Sequence, residues 1–397
     1  MKTPWRKLYV LSVAGALSWL GSSLTTFAVI LRDKDTVGAA GISGYLLAFG
    51  LPTIFMAPVS GLIADKFSSR AVIGPALAVM GLGSASLAIG WPLWWTPFAL
   101  LITAMAGTIV GPAFQAAQVS VTAKEDIARV SGLMQSMASA GTLFAPALGG
   151  ILVSAYGYFW PFVIDAISFW LLGVVFFAID INRKPVKHEG GEKISATVGL
   201  KFVFNDRLIR AIVVLMGVLV IALGTVNVGE VFLAQNELGA STFIYGIISA
   251  LFAGGSIVGS IATAALKLDA RRHALAIVLG IALLIATVFF MSIAWHWGVL
   301  MVLSFIAGLG NAILNAYGIG IVMARSPEEA LGRVNAAIGA VIQAGSVMGI
   351  VAGGIAIGLF GVRAVLMVAS ILSALILLVF GPEVIRAGRE HRVESSQ

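Results

Sequence analysis

Charge is absent from this chain over stretches that no ordinary soluble fold tolerates. No Asp, Glu, Lys or Arg occurs between Arg70 and Lys124, between Arg129 and Asp165, or between Arg272 and Arg325. About 20 apolar residues cross a bilayer as a helix, so the first and third gaps are too long for one crossing each and must hold hairpins. The chain has 397 residues, 11% of them charged, and a mean hydropathy of +1.01. Soluble domains carry roughly 25% charge, and one core could not bury so much apolar surface. In lipid every backbone polar group must be satisfied internally, which leaves helices or a closed barrel. The runs are far longer than the alternating ten-residue strands of a barrel, so helices are expected.

Twelve crossings are predicted, over 9–30, 41–63, 71–90, 94–120, 130–154, 160–180, 208–230, 242–265, 273–293, 297–322, 333–357 and 362–380. WPLWW at 91–95 and AWHW at 294–297 mark two turns, with Trp at the headgroup boundary. The polar stretch NRKPVKHEGGEK divides the chain near its middle. The expected organisation is a six-helix bundle over 1–181, a linker over 182–207, a second bundle over 208–382 and a charged tail over 383–397. With the N-terminus cytoplasmic, all of the 25 basic residues except Arg32, Lys34 and Arg363 fall on the cytoplasmic side. That bias predicts a multi-pass protein of the inner membrane with both termini cytoplasmic. The net charge of +7 is explained by topology, and no nucleic-acid partner is expected. No cleavable signal peptide is expected, because the first run is long enough to span.

The two bundles repeat one another at a constant offset. Asp65 maps to Asp269, Arg129 to Arg333, Gly141 to Gly345, Gly149 and Gly150 to Gly353 and Gly354, and Gly157 to Gly361. Six is an even number of crossings, so both copies enter from the same side. The predicted fold is all-α, with two six-helix repeats related by a pseudo-two-fold axis along the membrane normal and a solute path between them.

With these motifs the sequence resembles the major facilitator superfamily. GLIADKFSSR, running from Gly61 to Arg70, resembles the family's loop signature at Gly61, Asp65, Lys66 and Arg70, with Ala71 at the second basic position. LKLDARR at 266–272 is its degenerate copy. GTLFAPALGG at 141–150 resembles the family's antiporter pattern, with Ala145 in place of the Gly before Pro146. FVIDAISF at 162–169 resembles the macrolide and siderophore exporter branch. The resemblance spans the whole chain and implies transport by alternating access, on the drug-exporting side of the family.

Physical reasoning gives these residues roles. Gly61, Asp65, Lys66 and Arg70, with Arg129, Asp269 and Arg333, are expected to form breakable charge-assisted contacts that latch one conformation. Gly141, Pro146, Gly149 and Gly150 in the fifth helix allow close packing and bending, and are expected to act as a hinge or seam. A carboxylate inside the bilayer is costly unless paired, hydrated or protonated, so Asp165 is the leading candidate for proton coupling and Glu230 its rival. The first helix offers Ser18, Ser22, Ser23, Thr25 and Thr26 but no acid. The candidate solute path holds Gln115, Gln118, Asn227, Asn311 and Asn315, with Phe114 adding apolar surface alongside Thr103 and Met105.

These features predict secondary active efflux of amphiphilic or cationic small molecules, coupled to protons, by a monomer in the lipid bilayer. Uptake or exchange of a metabolite, and a non-transporting scaffold or receptor, are the other readings. An enzyme is not expected: no loop is large enough for a catalytic domain, and His188, His273, His296 and His391 lack metal-ligand spacing. No phosphate-binding GxxxxGK[ST] occurs, Cys is absent, and no cofactor or metal is expected.

Overall fold

The structure is a computed structural model, and it describes residues 3–181, 207–265, 270–325 and 331–394. The expected linker falls almost wholly outside these residues. Helices run over α1 Trp5–Phe55, α2 Ala57–Lys66, α3 Ser69–Ala88, α4 Trp95–Ser120, α5 Ile127–Tyr156 and α6 Phe159–Ala178. They continue as α7 Arg207–Val231, α8 Thr242–Ala265, α9 Ala270–Ser292, α10 Trp297–Arg325, α11 Leu331–Phe360 and α12 Val362–Glu394. Among the described residues, 11 helices are long and apolar enough to cross a membrane.

One of those 11 holds two crossings. At 51 residues, α1 would extend about 77 Å if straight, against a hydrocarbon core of about 30 Å. Its helical backbone breaks at Gly38, with φ 65° and ψ −174°, a region that only glycine occupies without strain. The chain folds back there. Tyr45 returns to hydrogen-bond Asp33, and Phe49 and Thr53 line the same cavity as Ser18 and Ser22. The predicted second crossing is therefore built from the end of α1 and from α2. The two join at Met56, where Pro58 enters the first turn of α2 without an N–H to donate.

Two compact units appear: Met1–Gly191 with Thr242–Gly246, and Glu192–Ser241 with Ile247–Gln397. In the first, α1 packs on α4, α5 and α6, and α3 packs on α4 and α6. In the second, α7 packs on α11 and α12, and α9 packs on α10 and α12. The pairings follow the sequence repeat. Glycine governs the closest ones. A Cβ at Gly141 would sit 2.7 Å from the Ala16 carbonyl, and one at Gly149 2.7 Å from Phe27. In the second unit a Cβ at Gly349 would sit 2.2 Å from the Ile221 carbonyl, and one at Gly353 2.8 Å from Thr225. Gly157 and Gly361, matched in the repeat, end α5 and α11 with φ of 79° and 80°.

Each unit has its own apolar core. Leu11, Ile73, Leu77, Phe169 and Phe176 centre the first, and Leu215, Ile277, Ile281, Leu284 and Leu314 centre the second. Val384 is fully buried in the second core, which explains why α12 runs past Pro382 to Glu394 where a charged tail was expected. A six-residue π-helical segment, Phe232–Glu237, extends the predicted seventh crossing and carries Glu237.

Candidate functional site

The helix α6 buries a stripe at the helical spacing, Phe162, Asp165, Ala166, Phe169 and Phe176, against α1 and α3. Asp165 is the polar member of this face aimed between those two helices, and only 1% of it is exposed. Three hydroxyls bond to its carboxylate. Ser22 donates to Oδ1 at 3.3 Å, Thr25 donates to Oδ2 at 2.8 Å, and Ser84 also donates to Oδ2. Among the described residues no Lys or Arg bonds to it. The first crossing, 9–30, which has no acid of its own, thus receives one from α6.

Helix approach makes this possible. A Cβ on Gly21 would lie 2.8 Å from both the Cα and Oδ1 of Asp165, and 2.7 Å from the Ser168 hydroxyl. The Ser168 hydroxyl itself donates back to the Asp165 carbonyl at 2.7 Å. Asp165 borders a cavity of about 310 Å³ inside the first unit. Trp19, Phe49, Met80, Phe114 and Phe169 supply its apolar wall, and Ser18, Thr103 and Thr108 its sparse polar points. Phe114 and Thr103 line this cavity within the first unit, whereas Met105 lines a separate apolar groove along α2, α3 and α4.

Glu230, the rival acid, is half-buried and accepts from the Ser304 hydroxyl at 3.3 Å. Of the polar path candidates, Gln118 is buried and turns its amide toward Met134 Sδ at 3.4 Å. Asn315 donates to Asn311 through its backbone and side-chain oxygens, at 2.8 and 3.1 Å. Gln115 and Asn227 are exposed.

Of the latch candidates, Gly61, Lys66, Arg70 and Arg129 sit at one end of the first unit. Arg70 pairs with Asp180, just beyond α6, donates to the Phe177 carbonyl and lies over the Phe177 ring. The Arg129 guanidinium stacks 4.7 Å from the Trp5 ring, and the Lys66 ammonium stands 5.9 Å from Phe67. A Cβ at Gly61 would meet no described atom within 4 Å. Asp269 lies outside the described residues, as do the side chains of Asp65 and Arg333. Gly141, Gly149 and Gly150 are buried in α5, and Pro146 lies inside it.

The opposite end carries a network that sequence reasoning missed. Arg32 binds both oxygens of Asp33 and also donates to the Leu87 carbonyl and the Thr96 hydroxyl. Asp33 is 2% exposed. In the second unit Arg363 binds Glu237 and donates to the carbonyls of Ser292 and Ala294. Asp33 and Glu237 occupy matched repeat positions, and so do the ends of α3 and α9. The arginine, however, comes from α1 in one unit and α12 in the other. The only sequence signal was that these were the basic residues off the cytoplasmic side. Nearby, in the turn after α5, burial and then Asp35 and Asp33 push the Tyr158 hydroxyl above its ordinary range, so it stays a donor to the Leu31 carbonyl.

Eleven long apolar helices among the described residues, in two like-packed units, define a multi-pass membrane protein of the transporter type. The chain belongs to the Major Facilitator Superfamily, whose profile matches residues 11–266 and 230–395. The uncharacterized MFS-type transporter YfiS of Bacillus subtilis is 28% identical over 43% of this chain, and the match spans only 41% of YfiS. The enterobactin exporter EntS of Citrobacter koseri is 24% identical over 70% of this chain and 67% of its own length. The crystal structure of the nucleoside transporter NupG superposes with a TM-score of 0.74, covering 94% of this chain and 97% of that one at 15% identity, a likeness of fold.

Proposed function

We propose that this transporter exports amphiphilic or cationic small molecules by alternating access, driven by protons entering as the solute leaves. One observation carries the reading: a fully buried carboxylate, Asp165, is supported by three hydroxyls and, among the described residues, by no cation, on the wall of an apolar cavity. A buried carboxylate without a positive partner is stable when it holds a proton, and unstable when it loses one. A group in that situation couples its protonation to its surroundings. The apolar aromatic wall suits a solute with a hydrophobic body. No Lys or Arg lines this cavity among the described residues, which disfavours a strongly anionic solute. The resemblance of 141–150 to the antiporter pattern, and the exporter among the relatives, point the same way.

In this reading Arg70 and Arg129 belong to a latch at the cytoplasmic surface, together with Gly61, Asp65, Lys66, Asp269 and Arg333. The buried glycines of α5 with Pro146 form its hinge, and Gln115, Asn227, Asn311 and Asn315 line the solute's route. The protein works as a monomer in the inner membrane with both termini cytoplasmic.

The test is accumulation of a cationic dye in cells that express the chain and lack their own pumps. Lower accumulation, restored by an uncoupler and by Asp165→Asn, is the expected result. Accumulation equal to that of empty cells across a panel of cationic dyes and antibiotics contradicts the proposal.

A further inference from the structure

We infer that the Asp165 cluster is also a binding site for a small monovalent metal cation, sodium above all, which competes there with the proton. The inference rests on the reading of Asp165 as the coupling group for its meaning in transport, and on geometry for the site itself. Five oxygens converge from three helices: both carboxylate oxygens on α6, the hydroxyls of Ser22 and Thr25 on α1, and that of Ser84 on α3. This is an all-oxygen, hard donor set.

Its charge selects the ion. Asp165 is the only charged residue in α6. On α1 the nearest charges are Arg32 and Asp33, paired with each other two turns beyond Thr25. The Arg32 guanidinium stacks on Phe162, 5.1 Å from its ring, one turn before Asp165. On α3 the only charge is Arg70, and on α5 it is Arg129, both at the far end. One negative charge in a buried site balances one positive charge, so a divalent ion would remain uncompensated. At 1% exposure Asp165 admits an ion or a proton but not the ammonium of a bulky solute.

The hydroxyls can serve either occupant. Each carries one donor and two acceptor lone pairs and rotates to suit. Thr25 and Ser84 donate to the carboxylate, while Ser22 shares its one hydrogen between Asp165 at 3.3 Å and the Ser18 carbonyl at 3.1 Å. Turned the other way, the same three oxygens face a cation held against Asp165. The oxygens stand at hydrogen-bond separation, 2.8 Å for Thr25 and 3.3 Å for Ser22, so a small ion enters the cluster with less displacement than a large one, which favours sodium or lithium over potassium.

The experiment is thermal unfolding of the full chain in detergent, with NaCl replacing choline chloride at constant ionic strength. The parent should show a saturable rise in Tm with sodium and lithium but not potassium. The sodium concentration at half effect should rise by up to about tenfold per pH unit as the medium is acidified, because protons compete for the site. Asp165→Asn should abolish the shift, and Thr25→Val should raise the half-effect concentration. Radioactive sodium binding to the parent gives the same answer should the Asn variant not fold. No sodium-specific shift and no bound sodium in the parent overturns the site, as does an equal shift in Asp165→Asn. Proton-driven solute flux in sodium-free vesicles, unaffected by added sodium, overturns it too while leaving the proposed function standing. Sodium binding without solute flux supports the site and removes the proposed function.

Discussion

Gly21 and Asp165 act as a pair. The carboxylate reaches Ser22 and Thr25 only because the helix facing it has no side chain at Gly21. Gly21→Ala should force α1 and α6 apart and cost about 1–3 kcal/mol, as overpacking does. A lower Tm for the purified protein, with weakened coupling, is expected, and an unchanged Tm contradicts the packing account. Asp165 itself was legible in the sequence as a lone acid inside an apolar run. Its partners were not. Ser84 is 81 residues away on another helix, and no local pattern distinguishes it from Ser86 beside it, which accepts from Trp95 instead. The hydroxyl-rich face of the first helix was visible, but its purpose depends on an acid that packing delivers. Gln118 shows the converse: its polarity suggested the solute path, and the fold turns it toward a neighbouring methionine.

Among the elements, the turn within α1 and the two arginine stations set the helix ends. Gly38→Val places a β-branched residue where φ is 65° and ψ −174°, at a cost of roughly 1–3 kcal/mol. The variant should melt at a lower temperature, and a full-stability variant would mean the chain does not reverse there as described. Arg363 donates to two carbonyls at the end of α9 and to Glu237. The ion pair is partly exposed and is worth at most about 1 kcal/mol, so the carbonyl bonds from a charged donor dominate. Arg363→Ala should therefore lower Tm more than Glu237→Gln. Arg363→Lys should fall between, because an ammonium cannot fork to the same acceptors. Equal Tm values for all three would show that the station carries no stability. The helices themselves were legible from charge-free runs and turn residues. The second crossing's break at Met56 and the π-helical end of the seventh were not, since both follow from backbone geometry rather than from hydropathy. The last helix outran its expected end because Val384 is anchored in the core.

For the whole molecule, two units of the same packing order realise a repeat that was already visible in matched Gly, Asp and Arg positions. The repeat is imperfect where function is expected. Asp165 maps onto Ala369 and Ser84 onto Val288, so the second unit has no counterpart of this cluster, and its own acid, Glu230, accepts from Ser304 instead. Under the proposed function, coupling is then assigned to the first unit. Asp165→Asn should abolish proton coupling, whereas Glu230→Gln should retain more than about half of it, measured as dye-driven proton flux. An equal loss from both would place coupling in both units. The most direct measurement is pH change inside proteoliposomes on addition of a cationic solute, with the parent and Asp165→Asn side by side. The account predicts solute-dependent proton movement in the parent and none in the variant. Solute flux in both without proton movement would contradict it.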